Sequence, residues 1–320
     1  MHLLAYLPLL FPVPAALAAR PLAERLEPRL ATWLLACGAL ALSALSCAAL
    51  GVLAVAGLVR LPPAALLGGW SAQAVRAGDP VSTGEAVVAG LVLAVAAAAG
   101  LRMLWCRVRA LAAAALEAAC LPGPERLVVL DDAAPDAYAL PGLPGRIVVS
   151  TGMLDALDEP DREAMLAHER AHLACHHYAF VAAAHLAAAV NPLLRPAATA
   201  VAFTVERWAD ECAASACGDR RQVARAVGKA ALATAHAPSR RRIPGAVMGL
   251  LGRRRDPLAS AGPVPRRVAA LLTESRANSR PFNVPLLPLA ATAAVIGASA
   301  LCAFAAAHDL HVLLELAGSG

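Results

Sequence analysis

At 320 residues, 59% of them apolar and 16% charged, the chain has a mean hydropathy of +0.60 and a formal net charge of +5. A soluble domain is about 45–50% apolar, so this composition excludes a wholly water-exposed fold, and the surplus of Ala, Leu and Val must face lipid. The length leaves room for one large domain or two small ones.

The apolar residues fall in blocks. Met1–Ala19 carries no Lys, Arg, Asp or Glu. Its small-residue end, ALAAR, loosely mimics a signal-peptide cleavage site. No basic residue precedes the apolar run, however, and prolines interrupt it, so it reads as a first membrane span. Leu34–Val59, Ala86–Leu101 and Val284–Ala307 are likewise free of charge. Each approaches or exceeds the roughly 18–20 residues that cross a bilayer as a helix. Arginine orients the four spans. Arg20, Arg25 and Arg29 lie between the first and second, and only Arg60 and Arg76 between the second and third. Arg102, Arg107 and Arg109 follow the third, and Arg266, Arg267, Arg276 and Arg280 precede the fourth. The excess of positive charge predicts that 20–32 and 102–282 are cytoplasmic and both termini outside a plasma membrane. The division expected is 1–105 for three spans and their loops, 106–282 for a cytoplasmic domain, and 283–320 for the fourth span and a short tail. Cys37, Cys47 and Cys302 fall in spans. The other five cysteines fall in the cytoplasmic part, where reducing conditions argue against a disulfide framework.

The helical pattern of the third span runs on to Cys120, where LPGPE breaks it. RLVVL (126–130) then reads as a short strand. Tyr138–Leu140 and Arg146–Ser150 read as two more, joined by a Gly/Pro turn. Asp158 and Pro160 open a helix with Glu159, Asp161 and Glu163 in its first turn, as a helix amino end prefers. Beyond it, Phe180–Phe203 is apolar, but Asn191-Pro192 and Arg195-Pro196 cut it into pieces too short to span. A helical hairpin against the domain or the membrane surface is expected there.

The helix opened by Asp158 contains AMLAHERAHLACHH (164–177), within which His168-Glu169-Arg170-Ala171-His172 matches HExxH. Residues four apart lie on one helix face about 6 Å apart along the axis, so both imidazoles can reach one zinc ion. The glutamate between them can act as general base on a metal-activated water. Catalytic zinc needs a third protein ligand and an open position. On a continuous helix His176 lies about 12 Å along the axis from His168, too far to share its ion, and His177 points off the face. Both are expected on the solvent or substrate side. Downstream of the hairpin, ERWAD (206–210) places Glu206 and Asp210 four apart on a second helix. Glu206 can complete the coordination, and Asp210 can hydrogen-bond the free N–H of a ligand histidine.

The run from AYALPG through GRIVVSTGMLDALDEPDREAMLAHERAH to NPLLRP and ERWADECAA resembles the gluzincin membrane peptidases. Within that group are the HtpX and CAAX-protease-like enzymes and the BlaR/MecR-type sensor-transducer proteases. Four spans with a zinc domain between the third and fourth are most similar in layout to the BlaR/MecR type. The resemblance covers about 100–215 closely and the spans by layout only. It implies a multi-pass α-helical membrane protein with a cytoplasmic α+β zinc metallopeptidase domain, made of a small antiparallel sheet and active-site helices. It implies one Zn2+ per chain held by His168, His172 and Glu206, with Glu169 as catalytic base and Asp210 behind a ligand. It also implies that Tyr138, Ala139 and Leu140 form an edge to which a substrate peptide adds as a strand. Arg170 departs from the apolar residue common at that place and is expected to point away from the metal. About a dozen residues follow the fourth span (HDLHVLLELAGSG), without the penicillin-binding sensor of BlaR/MecR proteins, so a direct β-lactam receptor role is not expected.

The function expected is zinc-dependent cleavage of a protein or peptide substrate at the cytoplasmic face, such as a regulatory or repressor protein. An HtpX-like role in membrane-protein quality control, or a non-enzymatic signalling scaffold with a structural zinc, are the alternatives. The clusters Arg240–Arg242 and Arg253–Arg255 flank an apolar stretch, as in a segment drawn to anionic lipid. No DNA-reading motif accompanies them, so direct nucleic-acid binding is not expected.

Overall fold

The computed structural model describes residues 2–62, 81–121, 126–143, 145–236, 263–273 and 286–318. Both arginine clusters fall outside these residues. Four helical stretches are long and apolar enough to cross a membrane: Ala5–Arg25, Pro28–Leu58, Thr83–Cys120 and Leu287–Ala317. The first consists of α1 (His2–Leu10) and α2 (Pro12–Arg25), which meet at Phe11, where Pro12 and Pro14 open the second helix. Helix α3 (Pro28–Leu58) follows after a two-residue connection, so the Arg20–Arg29 segment expected as a loop is almost wholly helical. Helix α4 (Thr83–Cys120) is opened by a capping box between Ser82 and Glu85. At 38 residues and 1.5 Å per residue it outruns the roughly 30 Å hydrocarbon core. Its carboxyl half therefore extends beyond a bilayer-spanning length.

There it carries the sheet. Strands β1 (Leu127–Leu130), β2 (Ala137–Leu140) and β3 (Arg146–Ser150) lie in the order β1-β3-β2. Leu140, Val148 and Tyr138 pack on Ala114 and Ala118 of α4. The opposite face, with Ile147 and Val149, packs on α5 (Thr151–Ala156) and α6 (Glu159–Ala174) through Met153 and Met165. The sheet is mixed, which corrects the antiparallel sheet expected. β2 and β3 are antiparallel across their turn, but β1 pairs parallel with β3. Every residue of β3 is buried. The strand covered on both faces takes the centre, between β1 and β2.

Helix α7 (His177–Val190), a 3-10 turn at Pro192–Leu194 and α8 (Arg195–Cys217) form the expected helical hairpin. Asn191 makes its tip: Oδ1 accepts from Leu193 N, and Nδ2 donates to Ser46 Oγ on α3. The hairpin packs against α2 and α3 in a core that includes Ala19, Leu35, Val181 and Val201. Helix α9 (Arg220–His236) lies on α6, and α10 (Pro263–Leu272) lies on α9 and α8. Helix α11 (Leu286–Gly318) continues past Ala307, the end of the charge-free run, because no proline interrupts it there.

Candidate metal centre

Three helices build the centre. The amino end of α6 is held first. The Asp158 carboxylate accepts from Asp161 N, and the fully buried Asp161 pairs with Arg225 and Lys229 of α9 at 3.0 and 2.6 Å. This fixes the face of α6 that carries His168 and His172. Their Nε2 atoms converge to 3.0 Å. Glu206, brought back by the hairpin on α8, places Oε2 at 3.6 Å from His168 Nε2 and Oε1 at 3.7 Å from His172 Nε2. One donor atom from each of the three side chains lies within 4.8 Å of the others. Ligands about 2.0–2.1 Å from a tetrahedral zinc ion sit about 3.3 Å from one another, so the spacing fits one such ion. Two neutral nitrogens and a carboxylate are also a donor set that zinc accepts.

Asp210, one turn beyond Glu206 and 1% exposed, lies with Oδ1 3.0 Å from His168 Nδ1. A carboxylate there keeps the proton on Nδ1 and leaves the Nε2 lone pair facing the centre. Both carboxylates meet one cation that sequence reasoning assigned only to membrane orientation. Arg267 on α10 donates through Nε and Nη2 to Asp210 at 2.7 and 2.6 Å, and its Nη1 lies 2.8 Å from Glu206 Oε2. Arg267 stands 57 positions from Asp210, with no local pattern to mark it; only folding reveals the pair.

Burial acts first on every titratable group here. It would depress His168, but the Asp210 and Glu206 carboxylates outweigh it and raise that imidazole to about 10. His172, buried with less compensation, is pushed down to about 3. Burial raises the half-buried Glu169 carboxyl to about 7, against the lowering effect of His168. A base near neutrality can both take and return a proton. Arg170 is exposed, away from this cluster.

His177 overturns an expectation. It is fully buried, with Nδ1 3.0 Å from His172 Nδ1 and its ring 4.7 Å from that of Trp208. The helix is not continuous: α6 stops at Ala174, His176 adopts the left-handed conformation (φ 52°, ψ 42°), and α7 leaves at 60°. The bend turns His177 back onto His172, while His176 itself is exposed. Tyr138, Ala139 and Leu140 lie on β2, at an edge of the sheet and beside α6.

Two histidines of an HExxH helix and a glutamate from a neighbouring helix form a set that could hold one metal ion. Residues 102–186 match the model of Peptidase family M48, which supports a metallopeptidase domain; M48 peptidases are zinc metalloproteases. The match contains the HExxH helix and the sheet and ends before Glu206, Asp210 and Arg267. No curated protein and no solved structure matches the chain.

Proposed function

We propose that this is a membrane-embedded zinc endopeptidase that cleaves a protein substrate at the cytoplasmic face. His168, His172 and Glu206 hold one Zn2+ per chain, and Glu169 is the general base. The observation that carries the reading is the convergence of the two Nε2 atoms and the Glu206 carboxylate on one point. Residues 1–105 supply three spans, 106–282 the cytoplasmic catalytic part, and 283–320 the last span and tail, with both termini outside. The burial of Ala19 and Ala23 against α3 and α8 supports a retained first span.

Zinc, when bound, supplies Lewis acidity that polarises a scissile carbonyl and lowers the pKa of a water to about 7. Glu169 accepts a proton from the attacking water and returns it to the leaving amine nitrogen. Asp210 holds His168 in the tautomer that binds, and Arg267 orients Asp210 and Glu206 with one guanidinium. The outer side of β2 takes the substrate backbone as an added strand, with Tyr138–Leu140 next to the active-site helix. The substrate is a regulatory protein such as a repressor, by the layout shared with BlaR/MecR proteases; damaged membrane proteins, as for HtpX, are the second reading. Anionic lipid is the partner proposed for Arg240–Arg242 and Arg253–Arg255.

The test is Glu169→Gln. Zinc should stay at one per chain while cleavage falls by about 10²–10⁴-fold, and a fragment present in wild-type cells should vanish from the proteome of cells carrying the variant. Retained cleavage would remove Glu169 from its role. Glu169 must be ionised to accept a proton, and burial raises its carboxyl to about 7, so activity should drop as pH falls through about 7. A rate that stays flat down to about pH 5 contradicts the reading.

A further inference from the structure

We propose that His177 is a positioning residue: its Nδ1 accepts a hydrogen bond from His172 Nδ1–H and holds the tautomer whose Nε2 faces the metal. The proposal rests on the zinc reading above and adds a member that the HExxH pattern does not contain.

A metal-binding imidazole gives its second N–H to an acceptor, which fixes both tautomer and ring orientation. Beside His168 stands the Asp210 carboxylate, with Oδ1 3.0 Å from Nδ1. His172 instead faces another imidazole, with 3.0 Å between the two Nδ1 atoms. Two facing nitrogens form a hydrogen bond only if one carries the proton and the other a lone pair. If His172 Nε2 is to bind metal, its proton must be on Nδ1, and His177 Nδ1 must then be the acceptor. That assignment puts the His177 proton on Nε2, a buried atom without a hydrogen-bond partner among the described residues.

The backbone is arranged for the same contact. On an unbroken helix, residue 177 would lie about 140° around the axis from residue 172. The left-handed His176 and the 60° bend bring it back. The His177 ring is then held between His172 and Trp208, with centroids at 4.9 and 4.7 Å. The Arg29 guanidinium sits 5.7 Å from the centre of the Trp208 ring. The two zinc histidines are thus backed differently, His168 by an anion and His172 by a neutral ring.

The test compares three variants of the full-length chain in detergent, with zinc affinity read by competition with a chelator. His177→Asn puts an acceptor oxygen where Nδ1 stands. His177→Gln carries it one bond too far, and His177→Phe keeps the ring but has no acceptor. Asn should bind zinc within about threefold of wild type, while Gln and Phe should lose about 10–100-fold. Asn binding as weakly as Phe, or Gln and Phe as tightly as wild type, overturns the role. If Phe does not fold, the Asn and Gln pair decides alone. Wild-type protein that takes up no zinc overturns the zinc reading and this proposal with it. Wild-type protein that binds zinc, with variants that do not rank, strikes only His177.

Discussion

At the scale of single residues, the centre depends on one charge more than on any other. Arg267 meets both Glu206 and Asp210 at hydrogen-bond distance. Removing one member of a buried ion cluster leaves the rest uncompensated, at a cost of about 3–5 kcal/mol. Arg267→Leu should therefore lower the melting temperature of the metal-stripped protein well beyond what Arg267→Lys does, because lysine keeps the charge while losing the fork. Equal melting of the two variants would show that the charge is not what holds the cluster. His176 offers a separate test, since it is exposed and left-handed. A β-branched residue pays about 1–2 kcal/mol in that conformation. His176→Val should destabilise by about that amount and His176→Gly should not, as chemical denaturation would measure.

At the scale of elements, the sheet and α6 position the site, and both are held by identifiable contacts. Val149 is 0% exposed at the centre of β3. Val149→Ala removes two buried methyl groups and should cost about 2 kcal/mol, seen as an earlier denaturation midpoint with unchanged slope. The amino end of α6 carries a pH signature. The Lys229 ammonium beside Asp158, with the Asp161 contacts, holds the Asp158 carboxyl down at about 2. A carboxyl with a folded pKa below its ordinary value adds stability above the ordinary value, about 3.9, and loses it as pH falls toward 2. Lys229→Met should flatten the acid limb of stability between about pH 4 and 2, as acid titration of helicity would read. Both elements were legible in the sequence, α6 from its cap and acidic first turn, β3 from its β-branched run. The parallel pairing of β1 was not, because strand order depends on which strand is covered on both faces. The short α5 was also not anticipated; only its Ser150 cap and its packing on the sheet define it.

At the scale of the whole molecule, the hairpin decides whether the proposed zinc donors can meet. If α7 crossed the bilayer, His172 and Glu206 would lie on opposite sides. Instead the chain reverses at Asn191–Leu194 and α8 returns beside α6. Helices α3 and α4 approach closely at small residues. A Cβ on Gly57 would come 2.2 Å from Ala86 Cβ, as in membrane helix pairs that pack through small side chains. The proposed topology predicts that a membrane-impermeant maleimide labels the exposed Cys120 in inside-out vesicles and not from the outside, in a chain whose other cysteines are replaced. Labelling from outside would invert the orientation, and with it the cytoplasmic cleavage.

The sequence by itself determined the four apolar stretches, because length and hydropathy are local sums. It also determined the HExxH pair, because a spacing of four on a helix fixes a shared face whatever surrounds it. The tertiary structure alone decided that Glu206 and Asp210 reach that face. It alone showed that Arg267 joins them from a distant helix, and that a break at His176 turns His177 inward. Those contacts come from chain reversal and packing between elements remote in sequence, which no local periodicity encodes.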